Sequence, residues 1–123
     1  MSHQPEHRTL LASAARTASV DTADQANMGA RGIEVIVDAT AFAATPSVVF
    51  TLQGKDLTSG KYYTLLASAA IAGVGTTVMR VFPGATVAAN TVANAQLPAV
   101  WRVSVAAGDA DSLTYSVGAN LLP

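Results

Sequence analysis

The chain has no cysteine. Disulfides and thiolate metal sites are therefore closed to it, which suits a reducing compartment and excludes a stapled secreted scaffold. Charge is scarce as well: seven Lys and Arg against eight Asp and Glu leave a formal net of -1, and only 12% of residues are charged. The basic residues Arg8, Arg16, Arg31, Lys55, Lys61, Arg80 and Arg102 are scattered, so no basic stripe exists to follow phosphates, and nucleic acid is not an expected partner. Both histidines, His3 and His7, sit at the very start. There is no G-x-S-x-G elbow for a nucleophilic serine, and Gly73 and Gly75 in AGVGTT lack both the Lys and the following helical pattern of a phosphate-binding loop. Most of the apparatus of catalysis is missing, so the chain is read as a non-enzyme with no cofactor and no metal.

A long apolar run is missing too, although half the residues are hydrophobic. The most apolar stretch, Tyr62 to Phe82, is broken by Gly73, Gly75, Thr76, Thr77 and Arg80 and falls short of the roughly 18 residues that a membrane-crossing helix needs. MSHQPEHR carries Pro5 and Glu6 where a secretory signal has its basic region, and LLASAA is shorter than the roughly 7 to 15 residues of a signal core. The chain is expected to begin near Met1 and to stay off membranes. With 123 residues, one domain that buries about two thirds of its unfolded surface is the default.

Period-two alternation fills this space. Ile33, Val35 and Val37 alternate with Glu34 and Asp38; Val48, Phe50 and Leu52 with Val49, Thr51 and Gln53. Trp101, Val103 and Val105 oppose Arg102 and Ser104, and Leu113, Tyr115 and Val117 oppose Thr114 and Ser116. Each run reads as a half-buried strand. YYTLLASAAI and TTVMRVF are weaker strands, and Gly, Pro, Asp and Ser cluster at the turns between, QGKDLTSGKYY reading as a hairpin connection. No helical pattern of about 10 to 15 residues intervenes, so the expected fold is all-β: an antiparallel β-sandwich, Ig-like or jelly-roll-like, of about seven or eight strands. Residues 1–8 are expected as an extended arm and residues 9–123 as the sandwich; residues 85–98 are a long crossover, a short helix or an irregular strand.

TLLASAA occurs twice, at residues 9–15 and 64–70. The flanks do not match, so domain duplication is excluded. Despite the helix propensity of alanine, both copies are expected as strands in equivalent sites of facing sheets, with small side chains that admit close packing and Leu10, Leu11, Leu65 and Leu66 supplying bulk.

Three motifs invite chemistry. HQPEH at residues 3–7 fits H-x-x-E-H, a metallopeptidase pattern that works only on a helix; Pro5 stands in its middle and no third histidine follows, so the match is read as chance. GDADS, with Asp109 and Asp111, starts like a calcium loop but has Thr114 and Asn120 at the sixth and twelfth places, where Gly and Glu belong; a turn with Asx hydrogen bonds is the reading. Trp101 could stack on sugar, but a single Trp in an alternating strand is expected in the core.

The segments RTASVDTADQANMGARGIEVIVDATA, TPSVVFTLQGKDLTSGKYYTLLASAAI, GTTVMRVFPG and ANTVANAQLPAVWRVSVAAGDADSLTYSVGANL together resemble a family of small proteins encoded among the structural genes of tailed bacteriophages and prophages. The resemblance spans Thr9 to Leu122, and QGKDLTSGKYYTLL and LPAVWRVSVAAGDADSLTYSVGA are its most distinctive parts. It implies a virion component without catalytic residues: a capsid decoration (cement) or minor head protein, with a tail or head–tail connector component as the alternative. It further implies the major capsid protein or other virion proteins as partners, a homo-oligomer such as a trimer, and a place on the capsid surface after synthesis in the host cytoplasm. Under that expectation the partner-binding residues are His3, His7 and Arg8 of the arm, Lys55, Asp56 and Lys61 at the hairpin tip, and Arg102. A glycan-binding β-sandwich module, with Trp101, Tyr62 or Tyr63 and the Asp109 loop on one exposed surface, is the rival class.

Overall fold

The alternating runs become the strands of two five-stranded sheets in the computed structural model, which describes residues 6–123. In chain order the strands are β1 (Glu6–Arg16), β2 (Val20–Asp21), β3 (Gln25–Ala26), β4 (Gly32–Phe42), β5 (Val48–Lys55), β6 (Tyr62–Ala67), β7 (Gly75–Val81), β8 (Val92–Ala93), β9 (Val100–Ala107) and β10 (Leu113–Leu122). The first sheet has the order β1-β10-β4-β7-β8; the second runs β2-β9-β5-β6, with β3 also on β9. Among the described residues there is no helix. The strand count is ten rather than seven or eight, and the surplus is three two-residue pieces, β2, β3 and β8.

β2 and β3 pair with successive stretches of the same strand, Val105–Ser104 and Trp101–Val100, and act as one interrupted strand. With β8 set aside, eight strands remain, and their antiparallel pairs are first with eighth, second with seventh, third with sixth and fourth with fifth. A long hairpin rolled up on itself has this connectivity, which is that of a jelly roll and not of an Ig-like sandwich.

The inner faces carry the core. Ile33, Val35 and Val37 on β4, Phe50 and Leu52 on β5, Trp101, Val103 and Val105 on β9, and Leu113, Tyr115, Val117 and Ala119 on β10 are all buried. Burying each large side chain contributes about 1.5 to 3 kcal/mol. Phe50 meets Tyr115 across the two sheets edge to face, centroids 5.0 Å apart. Leu97 and Ala85 close the core from the connection between β7 and β9. That connection is a long crossover rather than a helix. Asn90 turns it at φ 64, and β8 lies parallel to β7.

Both copies of TLLASAA fall on edge strands, the first within β1 and the second entering β6. They belong to different sheets and lie at opposite corners, since β6 flanks β7 and β8 while Arg8 of β1 reaches Gln25 of β3. The second copy leaves the sheet at Ser68, whose Oγ accepts the Phe50 N–H at 3.0 Å and donates to the Ala69 carbonyl. In the first copy Ala12 to Ala15 are exposed, so nothing among the described residues uses the close approach that they allow.

Glu6, His7 and Arg8, assigned to the arm from the sequence, are in β1, opposite Leu121, Asn120 and Ala119. Of the expected arm, His3 and the rest of residues 1–5 lie outside the described residues.

The sandwich has two ends. The hairpin end gathers the turns at 27–31 and 56–61, the crossover at 82–99 and Pro123; the alanine end gathers those at 17–19, 43–47, 68–74 and 108–112.

Candidate interaction surface

On the outer face of the second sheet, side chains from four strands and a loop converge on Tyr62. The Arg102 guanidinium lies 3.5 Å from the ring centre and the Lys55 ammonium 5.5 Å from it. The Tyr62 hydroxyl donates to Asp24 Oδ1 at 2.6 Å, and Lys55 Nζ donates to Asp24 Oδ2 at 3.0 Å. Arg102 also donates to Gln53 Oε1 and pairs with Asp21, which accepts the Ser104 hydroxyl. The Tyr62 hydroxyl, and then Lys55, hold the Asp24 carboxyl below its ordinary range, and Asp24 in turn raises Lys55. The ion pairs remain partly solvated, so each alone adds little to stability; together they fix the side chains in one arrangement.

A second polar row crosses the first sheet at one level of its register: His7, Asn120, Glu34 and Arg80 stand opposite one another on β1, β10, β4 and β7. Asn120 Oδ1 lies 2.8 Å from His7 Nδ1, Asn120 Nδ2 donates to Glu34 Oε1, and Arg80 donates to Glu34 Oε2 at 2.9 Å. The His7 imidazole also lies over Gly118, where a side chain would meet it.

The residues expected to bind a partner are thus divided. Lys55 and Arg102 meet on Tyr62. Asp56 and Lys61 share the hairpin tip, where Asp56 accepts from the Ser59 hydroxyl and the Thr58 N–H, both of which lower its pKa. Lys61 is exposed and has no salt-bridge partner among the described residues. His7 and Arg8 are on the first sheet, and Arg8 is held by Glu6 at 2.7 Å, which lowers the Glu6 pKa. Tyr62, Asp24, Gln53, Glu34 and Asn120 complete the networks and were not singled out as partner-binding. The alternation signals the faces of Gln53 and Glu34, but no local pattern marks Asp24, which sits in a loop.

Glu6 and His7 of HQPEH are successive residues of a strand, not a helix, and the remainder lies outside the described residues. Asp109 Oδ1 accepts the Asp111 N–H at 3.0 Å, an Asx turn, and Asp111 Oδ2 accepts from Thr45. Among the described residues no group of three His, Asp or Glu is placed to hold a metal ion. Trp101 is fully buried, so the exposed surface of the glycan expectation lacks its central aromatic. Tyr62 is covered by Arg102. Two shallow clefts flank Arg31, one of about 170 Å³ against Phe82, Pro83 and Leu122, the other of about 520 Å³ against Asn27, Gln96 and Pro98. The Asn27 amide is spent on Ala30 and Leu97, so neither cleft gathers reactive groups. No family model, curated protein or solved structure matches this chain.

Proposed function

We propose that this chain is a structural component of a tailed-phage virion, a capsid decoration or minor head protein that binds the shell through non-covalent contacts. The observation that carries the reading is the resemblance of QGKDLTSGKYYTLL and LPAVWRVSVAAGDADSLTYSVGA to that family. In the fold these stretches are the β5–β6 hairpin and the strands β9 and β10 with the turn between them, so they take in three strands of the second sheet and its link to the first. The architecture is compatible, since jelly rolls occur among viral capsid domains as they do among lectins, although a fold does not by itself assign a function. Charges tied into local networks over both outer faces make a rigid surface that loses little entropy on docking, as suits a protein held by many repeated weak contacts. A trimer around a local symmetry axis of the shell is the assembly that goes with this role.

Quantitative mass spectrometry of particles purified from the source culture tests the proposal. Hundreds of copies per particle are expected. A dozen or fewer points to a connector or tail component, and absence from particles refutes the reading.

A further inference from the structure

The two ends of the sandwich differ in chemistry. At the alanine end, Ala41 to Thr45 and Ala69 to Gly75 contain no charged residue, and all but Ile71 and Gly73 are exposed. Phe42 is 52% exposed and Val74 65% exposed, and the Phe42 ring lies beside Gly73, the residue before Val74, so both stand on neighbouring turns of one apolar end. Charge at its margin is acidic: Asp109 and Asp111 sit on the neighbouring turn. Arg16, the one basic residue nearby among the described residues, is occupied by the carbonyls of Ala12, Ala14 and Tyr115.

The hairpin end has the opposite character. Met28, Leu57 and Val87 are exposed apolar residues of its turns and crossover, at 85%, 65% and 68%. Lys61 and Arg31 are exposed there without an Asp or Glu partner among the described residues; the Arg31 guanidinium bonds the Pro123 carbonyl, and Asp56, on the same turn as Lys61, is held by the Thr58 N–H and the Ser59 hydroxyl.

We infer that the alanine end of one copy docks on the hairpin end of a second copy, head to tail, with Phe42 and Val74 against Met28 and Leu57 and with Asp109 and Asp111 facing Lys61 and Arg31. Two unlike surfaces on one molecule, each apolar and of opposite charge, define a heterologous contact, whereas two alanine ends brought together would oppose acid to acid. The β1 edge, the other candidate for self-association, is capped over Ala12 and Ala14 by Arg16. Strands about 4.8 Å apart in two sheets about 10 Å apart give an end of about 500 Å². Two such ends bury about 1,000 Å² in all, at the lower bound of a specific interface, so association is weak and reversible. The inference goes beyond the virion reading and does not depend on it.

Sedimentation velocity of the full chain, from about 10 μM to about 500 μM, spans the affinities that an interface of this size supports. The wild type is expected to associate as concentration rises, and less so in high salt. A Lys61→Glu/Arg31→Glu variant and a Val74→Arg variant, each altered at one end only, are each expected to self-associate at least about tenfold more weakly. Mixed, they are expected to associate, because the intact alanine end of the first variant docks on the intact hairpin end of the second. This pairing also shows that both variants are folded. A wild type that stays monomeric throughout overturns the inference. So does a Lys61→Glu/Arg31→Glu variant that associates like the wild type, which indicates a two-fold contact between alanine ends, or a mixture that stays monomeric.

Discussion

The Arg16 guanidinium stands 4.7 Å from the centre of the Tyr115 ring and donates to the carbonyl of the same residue at 2.8 Å. Between Leu11 and Ala14 the first strand carries one residue more than β10 opposite it, and this bulge turns the Ala12 and Ala14 carbonyls toward Arg16, which donates to both. A bulge with its carbonyls capped is one way to keep an edge strand from pairing with other chains.

Replacing Arg16 with Ala therefore removes charge-assisted hydrogen bonds and a cation–ring contact together. A loss of about 2 kcal/mol is expected in urea unfolding. Arg16→Lys should recover less than about half of it, because one ammonium cannot span the fork of carbonyls. Light scattering should show Arg16→Ala aggregating more readily than Arg16→Lys, since it leaves the edge open.

Among the described residues the Tyr115 hydroxyl is buried without a hydrogen-bond partner, and burial pushes its pKa up against the opposing pull of the Arg16 guanidinium over its ring. An unpartnered buried hydroxyl carries a desolvation cost, so Tyr115→Phe should leave stability unchanged or raise it by up to about 1 kcal/mol. Chemical denaturation of the variant checks this; a loss above about 1 kcal/mol would mean that the hydroxyl has a partner in solution.

What was legible in the sequence follows from the range of each interaction. The inner-face residues of β4, β5, β9 and β10 declare themselves by alternation, because each strand is long enough to repeat its pattern. β2 and β3 do not: two residues carry no period, and the segment is held by contacts far off in sequence, such as the Thr22 hydroxyl accepting the Val103 N–H. Lys55 and Arg102 could be placed on the surface, but their meeting over Tyr62 depends on the register of β5 with β6 and β9. Glu6, His7 and Arg8 look like a polar tail in the sequence; as part of an edge strand they need bury only one flank. The jelly-roll order could not be read from strand positions alone, since both sandwich types suit the same spacing.

Two glycines should separate backbone crowding from side-chain crowding. A Cβ on Gly32 would lie 2.6 Å from the Val81 carbonyl oxygen and from Phe82 Cβ; one on Gly54 would lie 2.6 Å from Tyr63 Cζ and 2.7 Å from Pro98 Cγ. The Val81 carbonyl is fixed by the β4–β7 ladder, whereas Tyr63 is partly exposed and can swing outward. Gly32→Ala should cost about 3 kcal/mol or more, and Gly54→Ala distinctly less, as thermal unfolding would register.

Asp24 links the outer surface of the second sheet to pH. Its carboxylate accepts from the Tyr62 hydroxyl, the larger cause of its lowered pKa, and from Lys55. A carboxyl whose folded pKa lies below its ordinary 3.8 contributes stability that is present above that value and is lost as pH falls through the folded pKa. Lys55, raised above 10.5 by the same carboxylate, contributes stability that is present below 10.5 and is lost as pH rises through its folded pKa. The pair therefore leaves stability flat between these limits and lowers it outside them. Tyr62→Phe removes the larger of the two hydrogen bonds, so the Asp24 carboxyl should titrate closer to 3.8 when followed by carbon-detected NMR. Lys55→Met should move it less in the same direction. If Tyr62→Phe leaves the Asp24 titration where it is in the wild type, the hydroxyl is not what organises this face.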